Sequence, residues 1–270
     1  MNDDSFYHIG FGKKHLGAQP PLIALLSGDP ERARHIAQDS PGVTFEKKLS
    51  ENRGLHSYLA RLPNGRRIIS ATSGMGAPSL SIVVNELVQV GIRAIIRVGT
   101  SGAIQPDVKM GSVVISRAAL ARQGAADDIA PKEYPASSNP FLTLALVNAA
   151  RELNVDWHIG ITASVDTFFE GQERTESSAN KALLRSLREV TAEYRALGIL
   201  NYEMEAGTLF KMGNVYGFAA ACICAVIANR TQGELPDLDA KARAVRDAIR
   251  VALRAAETFD EEYLQPRYWR

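Results

Sequence analysis

Residues 21–39, "PLIALLSGDPERARHIAQD", pass from a short apolar run into a charged helical pattern with one glycine between them. The apolar run 21–28 reads as a buried strand that ends at Gly28. Asp29 then supplies an N-cap and Pro30 the first helical position, which opens a helix over 29–39. Buried strand, glycine turn and capped helix form the repeating unit of an α/β protein. The same alternation continues along the chain. Residues 43–49, 56–62 and 66–72 read as successive strands, the last two joined by a Pro-Asn-Gly turn. A helix follows at 78–91, with proline at its start and glycine at its end. Strands are expected at 93–99, 111–117, 158–165 and 218–228, and helices at 140–153, 176–197, 203–216 and 239–257. The order predicts an α/β sandwich around a mixed, largely buried β-sheet. No linker, repeat or low-complexity tract divides the 270 residues, so one domain over 1–270 is expected. Residues 122–140, rich in Asp, Ala, Pro and Ser, read as a long loop.

Composition narrows the class. Hydrophobic residues make up 46% and charged residues 23%, as in ordinary globular proteins. A net charge of +1 gives no bulk electrostatic case for nucleic acid or membranes, and no apolar run reaches membrane-spanning length. The opening "MNDDSFYHIGFGKKH" is polar and acidic, unlike a secretory leader. The two cysteines, Cys222 and Cys224, sit two apart in an apolar run and read as buried thiols in a reducing, cytoplasmic setting.

The common catalytic fingerprints are absent. "GFGKKHLG" has neither dinucleotide-binding spacing nor a Walker A lysine, and no Gly-x-Ser-x-Gly elbow exists. No Cys/His or His/Asp cluster has metal spacing, so no metal is expected. What remains is a set of glycine turns at strand ends: "SGDPERA" with Gly28 and Arg32, "RVGTSGAI" with Arg97 and Thr100, and "SGMGAPS". Amides at helix starts, joined by arginines and hydroxyls, suit a phosphate, although each turn alone is also ordinary turn chemistry. In "NYEMEAGTL", Glu203 and Glu205 fall at an expected helix start. Either could cap the helix, or one could accept from vicinal hydroxyls such as those of a ribose. In "FFEGQER", residues 168–174, an amide and a guanidinium stand two residues apart on a looped segment. Together they can match an edge that reads acceptor, donor, acceptor, as the imide edge of uracil or thymine does, although the stretch also reads as an ordinary polar loop.

Taken in order, "SGDPERA", "SGMGAPS", "RVGTSGAIQPDVKMG", "DTFFEGQER", "NYEMEA" and "VIANRTQ" resemble the nucleoside phosphorylase-I superfamily, nearly from end to end. The pairing of "GQER" with "NRTQ" is similar to its uridine phosphorylase branch. The resemblance implies a three-layer α/β/α fold and phosphorolysis of uridine to uracil and ribose 1-phosphate. By the same resemblance, Gly28, Arg32, Arg97 and Thr100 match phosphate-binding positions. Arg53 matches an arginine lent to a neighbouring subunit's phosphate, and His8 a histidine lent to the ribose 5′-hydroxyl. Met204 and Glu205 match ribose contacts, Phe168 the aromatic beside the base, and Gln172 and Arg174 the uracil readers. Arg230 matches an arginine that reaches the O4 side of the base through water. Catalysis would rest on Arg97, Glu205 and Arg174, with phosphate as co-substrate and no cofactor.

The sharing of His8 and Arg53 between subunits implies a homo-oligomer, and relatives imply a hexamer built as a trimer of dimers. Some relatives place a glutamate for potassium directly after the arginine that Arg53 matches; Gly54 stands there, so no cation is expected. The segment "QGAADDIAPKEYPA" is acidic and shorter than in close relatives, and the tail "DEEYLQPRYWR" extends past their last helix. Three other readings compete. A purine phosphorylase of this branch carries a Ser-Asp pair where Asn229-Arg230 stands, and an arginine cannot be that acid. A water-using nucleosidase is opposed by the phosphate arginines, and a non-catalytic nucleoside binder by the full set of Arg32, Arg97 and Glu205.

Overall fold

A computed structural model describes residues 5–230 and 238–264. Among them are nine strands: β1 (Ile23–Ser27), β2 (Thr44–Ser50), β3 (Ser57–Arg61), β4 (Arg67–Thr72), β5 (Ala94–Ala103), β6 (Val113–Arg122), β7 (Trp157–Val165), β8 (Ile199–Glu203) and β9 (Ala219–Asn229). The α-helices are α1 (Pro30–Gln38), α2 (Ala77–Gln89), α3 (Gly124–Ile129), α4 (Pro140–Glu152), α5 (Val190–Ala196), α6 (Ala206–Tyr216) and α7 (Leu238–Thr258). The strands form one mixed sheet in the order β2-β3-β4-β1-β5-β8-β7-β6-β9, and β9 pairs back onto β5. One half is therefore an open sheet, and the other half curls until β5, β8, β7, β6 and β9 close a ring. Apolar residues of α1, α4 and α7 cover one face. Those of α2 and α6 cover the other, and α3 packs on α6. The expected three-layer α/β/α arrangement around a mixed sheet is found.

The opening stretch behaves as read. β1 is wholly buried between β4 and β5, both parallel to it. The Asp29 side chain accepts from the Glu31 amide, with Pro30 at the first helical position. Cys222 and Cys224 lie buried on β9 as free thiols, with sulfurs 3.6 Å apart. Contact with the Cys224 thiol and burial push the Cys222 thiol well up, so it stays protonated.

Three expectations need correction. The expected helix over 176–197 is mostly absent: one 3-10 turn, Arg185–Leu187, precedes the short α5. Side chains compete with the helix there. Ser178 Oγ accepts from the Asn180 amide, and Asn180 Oδ1 from the Ala182 amide. Glu189 then adopts a left-handed φ of 60°, which delays α5. Strand β8, unread in the sequence, fills the gap before α6, so Glu203 ends a strand and α6 begins only at Ala206. The region 122–140 is not all loop. It contains α3, and the buried Lys211 ammonium ties the segment down by donating to the Ala130 and Pro131 carbonyls at 3.0 and 2.8 Å.

Candidate active site

The carboxyl ends of β1, β5 and β8 meet beneath the first turns of α1, α2 and α6, where ligands of open α/β sheets are usually held. Arg97 on β5 is the centre. Its Nε donates to Glu203 Oε2 at 3.0 Å, and its Nη2 pairs with Glu205 Oε2. Its Nη1 is buried without a hydrogen-bond partner among the described residues. Burial alone would depress this guanidinium, but Glu205 and Glu203 more than offset it and hold the group charged. Arg32, in the first turn of α1, donates from Nη1 to the Val98 carbonyl at 3.2 Å. Its nearest carboxylate, Asp29, lies 4.0 Å away. Burial, with the Arg97 charge beside it, lowers the Arg32 pKa. Two guanidinium groups thus stand near each other, and Arg97 Nη1 and Arg32 Nε are buried donors without a hydrogen-bond partner among the described residues, which suits them to an anion.

Glycines make that pocket possible. A Cβ at Gly99 would lie 3.0 Å from Arg97 Nη2 and 2.9 Å from Cys224 Sγ, so a hydrogen there lets the guanidinium fold back along its own strand. A Cβ at Gly28 would come within 3.2 Å of the Gly74 carbonyl, where the turns before α1 and α2 touch. Thr100 follows on β5, partly exposed. Gly99→Ala is expected to displace Arg97 and lower kcat/KM by roughly tenfold to hundredfold. Steady-state kinetics on a variant with a wild-type circular-dichroism spectrum would check this.

The two carboxylates of "NYEMEAG" divide the work. Glu203 caps α6, accepting from the Glu205 amide at 2.8 Å and from the Ala206 amide at 2.9 and 3.0 Å. Ser164 Oγ takes the Gly207 amide at 2.8 Å, and Gln123 Oε1 the Thr208 amide at 2.9 Å. All four amides at the start of α6 are therefore paired with side chains. Glu205, freed from capping, accepts from the Gly76 amide at 2.6 Å. That amide, expected in the sequence to serve an anion at the start of α2, holds the Glu205 carboxylate instead. Gln123 Nε2 also donates to the Met204 carbonyl at 2.6 Å, which fixes the turn between the glutamates. Sequence reading missed Ser164 and Gln123. A lone serine in a strand and a lone glutamine just before α3 carry no spacing signal.

Residues 168–174 arch over the far end of β5. A Cβ at Gly102 would lie 3.4 Å from Arg174 Nη2, so the loop rests two residues beyond Thr100. Arg174 Nε donates to Gln172 Oε1 at 3.1 Å, and its guanidinium sits 4.3 Å over the Phe168 ring. Both polar side chains are buried while Phe168 stays exposed. Arg230, at the end of β9, donates from Nη2 to the Gln172 and Glu173 carbonyls at 2.9 and 3.2 Å and braces the loop from beneath. Thr231 and Gln232 of "NRTQ" lie outside the described residues, as do the tail residues 265–270. Gly171 serves the loop itself, since a Cβ there would lie 2.8 Å from the Thr167 carbonyl.

His8 and Arg53 do not join this cluster within the chain. The His8 ring meets Glu86 Oε1 at 2.7 Å, and Arg53 lies over the Tyr7 ring, 5.7 Å from its centroid. The Asn52 side chain donates to the Tyr7 and His8 carbonyls, joining both segments into one surface patch. Glu86 stands ten residues along α2 from the Gly76 amide that holds Glu205, a separation of roughly 15 Å. No group of three His, Cys, Asp or Glu is placed to hold a metal ion, and no helix is long and apolar enough to cross a membrane, among the described residues.

The Phosphorylase superfamily profile matches residues 22–261. The chain is 39% identical to a uridine phosphorylase of Salmonella typhimurium over 95% of this chain and 98% of that protein. It is 37% identical to a uridine phosphorylase of Escherichia coli over 95% and 98%. A DeoD-type purine nucleoside phosphorylase of Caldanaerobacter subterraneus is 29% identical over 90% and 99%. The chain belongs to the phosphorylase superfamily.

Proposed function

We propose that this protein catalyses the reversible phosphorolysis of uridine to uracil and ribose 1-phosphate, as a pentosyltransferase that uses phosphate as co-substrate. The observation that carries the reading is the placement of Gln172 and Arg174 over the same strand that presents Arg97 and Thr100. Phosphate lies against Gly28, Arg32, Arg97 and Thr100, below C1′ of the nucleoside. Glu205 accepts from the 2′- and 3′-hydroxyls beside Met204. Gln172 accepts from N3–H and donates to one uracil oxygen, while Arg174 donates to the other. A phosphate oxygen forms the new bond to C1′ as the C1′–N1 bond breaks, and its electron pair leaves with uracil. Negative charge spreads onto the base oxygens, where Arg174 and Gln172 stabilise it, and the ribose carries positive charge near Glu205. Positioning and charge supply the catalysis, so the site needs no covalent nucleophile.

The site is completed by a second copy of the chain. The patch holding His8 and Arg53 is a helix length from the chain's own Glu205, and exposed Tyr7 and Met75 flank the two regions. We read this as a dimer interface across which His8 reaches a partner's 5′-hydroxyl and Arg53 its phosphate, with three dimers forming a hexamer. Gly54 offers no carboxylate for potassium at that junction. The protein would act in the cytoplasm, in pyrimidine nucleoside salvage or catabolism.

The test is incubation with uridine, thymidine, cytidine, inosine and adenosine, each with and without phosphate. Uracil release from uridine only when phosphate is present is expected. Preferential inosine cleavage would favour a purine enzyme, and phosphate-independent release a nucleosidase.

A further inference from the structure

Between the two base readers stands Glu173, a residue that the reaction does not use. It is one of four non-glycine residues with left-handed backbone among the described residues, at φ 54°. A side-chain-bearing residue holds that conformation only when its surroundings enforce it. The enforcement is visible. Glu173 Oε1 accepts from the Glu189 amide at 2.6 Å and Oε2 from the Thr191 amide at 3.0 Å. These are amides at the start of α5, which α5's own N-cap residue, Glu189, does not satisfy with its side chain. The clasp continues inward, because Thr191 Oγ1 lies 3.0 Å from the Tyr202 hydroxyl on β8. Strand β8 leads directly to Glu203, Met204 and Glu205. From below, Arg230 holds the carbonyls of Gln172 and Glu173.

We propose that Glu173 is the positioning residue of the base reader: its carboxylate fastens Gln172 and Arg174 to the start of α5 and so sets their register on the base. The inference rests on the reading of Gln172 and Arg174 as uracil contacts. Glu173 need not touch the substrate. The loop 168–174 has no strand or helix of its own, so two buried polar readers require external anchors. Arg230 fixes the backbone on one side of Glu173, and the carboxylate fixes it on the other. With the carboxylate removed, the left-handed turn loses its support, and the two readers no longer present their donors and acceptor in one plane.

The experiment compares wild type, Glu173→Ala, Glu173→Gln and, as a direct-contact reference, Arg174→Ala, in both reaction directions. In Glu173→Ala, KM for uridine and for uracil should rise at least about tenfold, while KM for phosphate and for ribose 1-phosphate stays within about twofold. Glu173→Gln keeps one acceptor and should fall between wild type and alanine, a graded rescue that general loosening would not produce. Hydrogen–deuterium exchange should quicken in the peptide covering residues 186–196 in both variants, and not in α7. If Glu173→Ala does not fold, Glu173→Gln decides, with an expected rise of about threefold in the base-side KM values alone. Unchanged uridine and uracil KM in a folded variant, or equal increases for all four substrates, would overturn the proposal. Absence of uridine phosphorolysis by the wild type would instead overturn the functional reading beneath it.

Discussion

Glu205→Gln is expected to lower kcat/KM for uridine by roughly a hundredfold, with a loss nearer tenfold for 2′-deoxyuridine. The carboxylate is buried, and the Gly76 amide and the Arg97 guanidinium hold it in place. Glutamine has the same shape and can still accept from Gly76, so the fold should survive. It loses the negative charge that strengthens acceptance from two ribose hydroxyls and that faces the developing positive charge on the sugar. A hydrogen bond to a charged group contributes about 1.5–3 kcal/mol, so two weakened bonds account for about 3 kcal/mol, close to a hundredfold in rate. 2′-Deoxyuridine offers one hydroxyl fewer and has less to lose. Steady-state kinetics on the two nucleosides separate the outcomes. Equal losses on both sugars would remove Glu205 from the 2′-hydroxyl, and a loss below about threefold on uridine would remove it from the ribose altogether.

Legibility followed the physics of each residue's partners. β1 and α1 could be read because their partners are local: an apolar run, a cap and a proline that act within their own segment. The setting of Arg97 has a local signal too, since Gly99, two residues on, leaves room for its guanidinium. β8 was invisible because Asn201 and Glu203 are polar yet buried, turned toward Thr162 and Arg97 rather than solvent. A strand buried around a polar network shows no alternation. Local pattern did not divide Glu203 from Glu205, which only the family resemblance separated, because the decision rests on Arg97, Ser164 and Gly76, which come from three other elements. The start of α5 was lost to the Ser178 and Asn180 turns and to Glu189, whose left-handed backbone no composition announces. Residue identities revealed which groups could bind a ligand. Several of the groups that hold them still, Ser164, Gln123 and Gly76 among them, are distant in sequence and chemically plain.

Arg97→Met should cut phosphorolysis by at least about a thousandfold, an effect of about 4 kcal/mol, because the residue is asked to do two things. Its buried Nη1, without a partner among the described residues, is the donor proposed for phosphate, and its other two nitrogens pair with Glu203 and Glu205. Removing one member of a buried ion network typically costs about 3–5 kcal/mol of stability, so the variant should also melt earlier. Stability and catalysis therefore fall together, and activity alone would not separate them. Arg32→Met separates them. Its guanidinium has only a distant carboxylate, Asp29 at 4.0 Å, and a carbonyl, so its loss should cost little stability while raising KM for phosphate. Thermal melts with and without phosphate complete the test, because a ligand that binds only the folded protein raises its melting temperature. Phosphate should stabilise the wild type, stabilise Arg32→Met less at the same concentration, and leave Arg97→Met unmoved. A folded Arg97→Met that keeps the wild-type KM for phosphate would show that its buried donor does not face the anion, and the pocket would then belong to Arg32 alone.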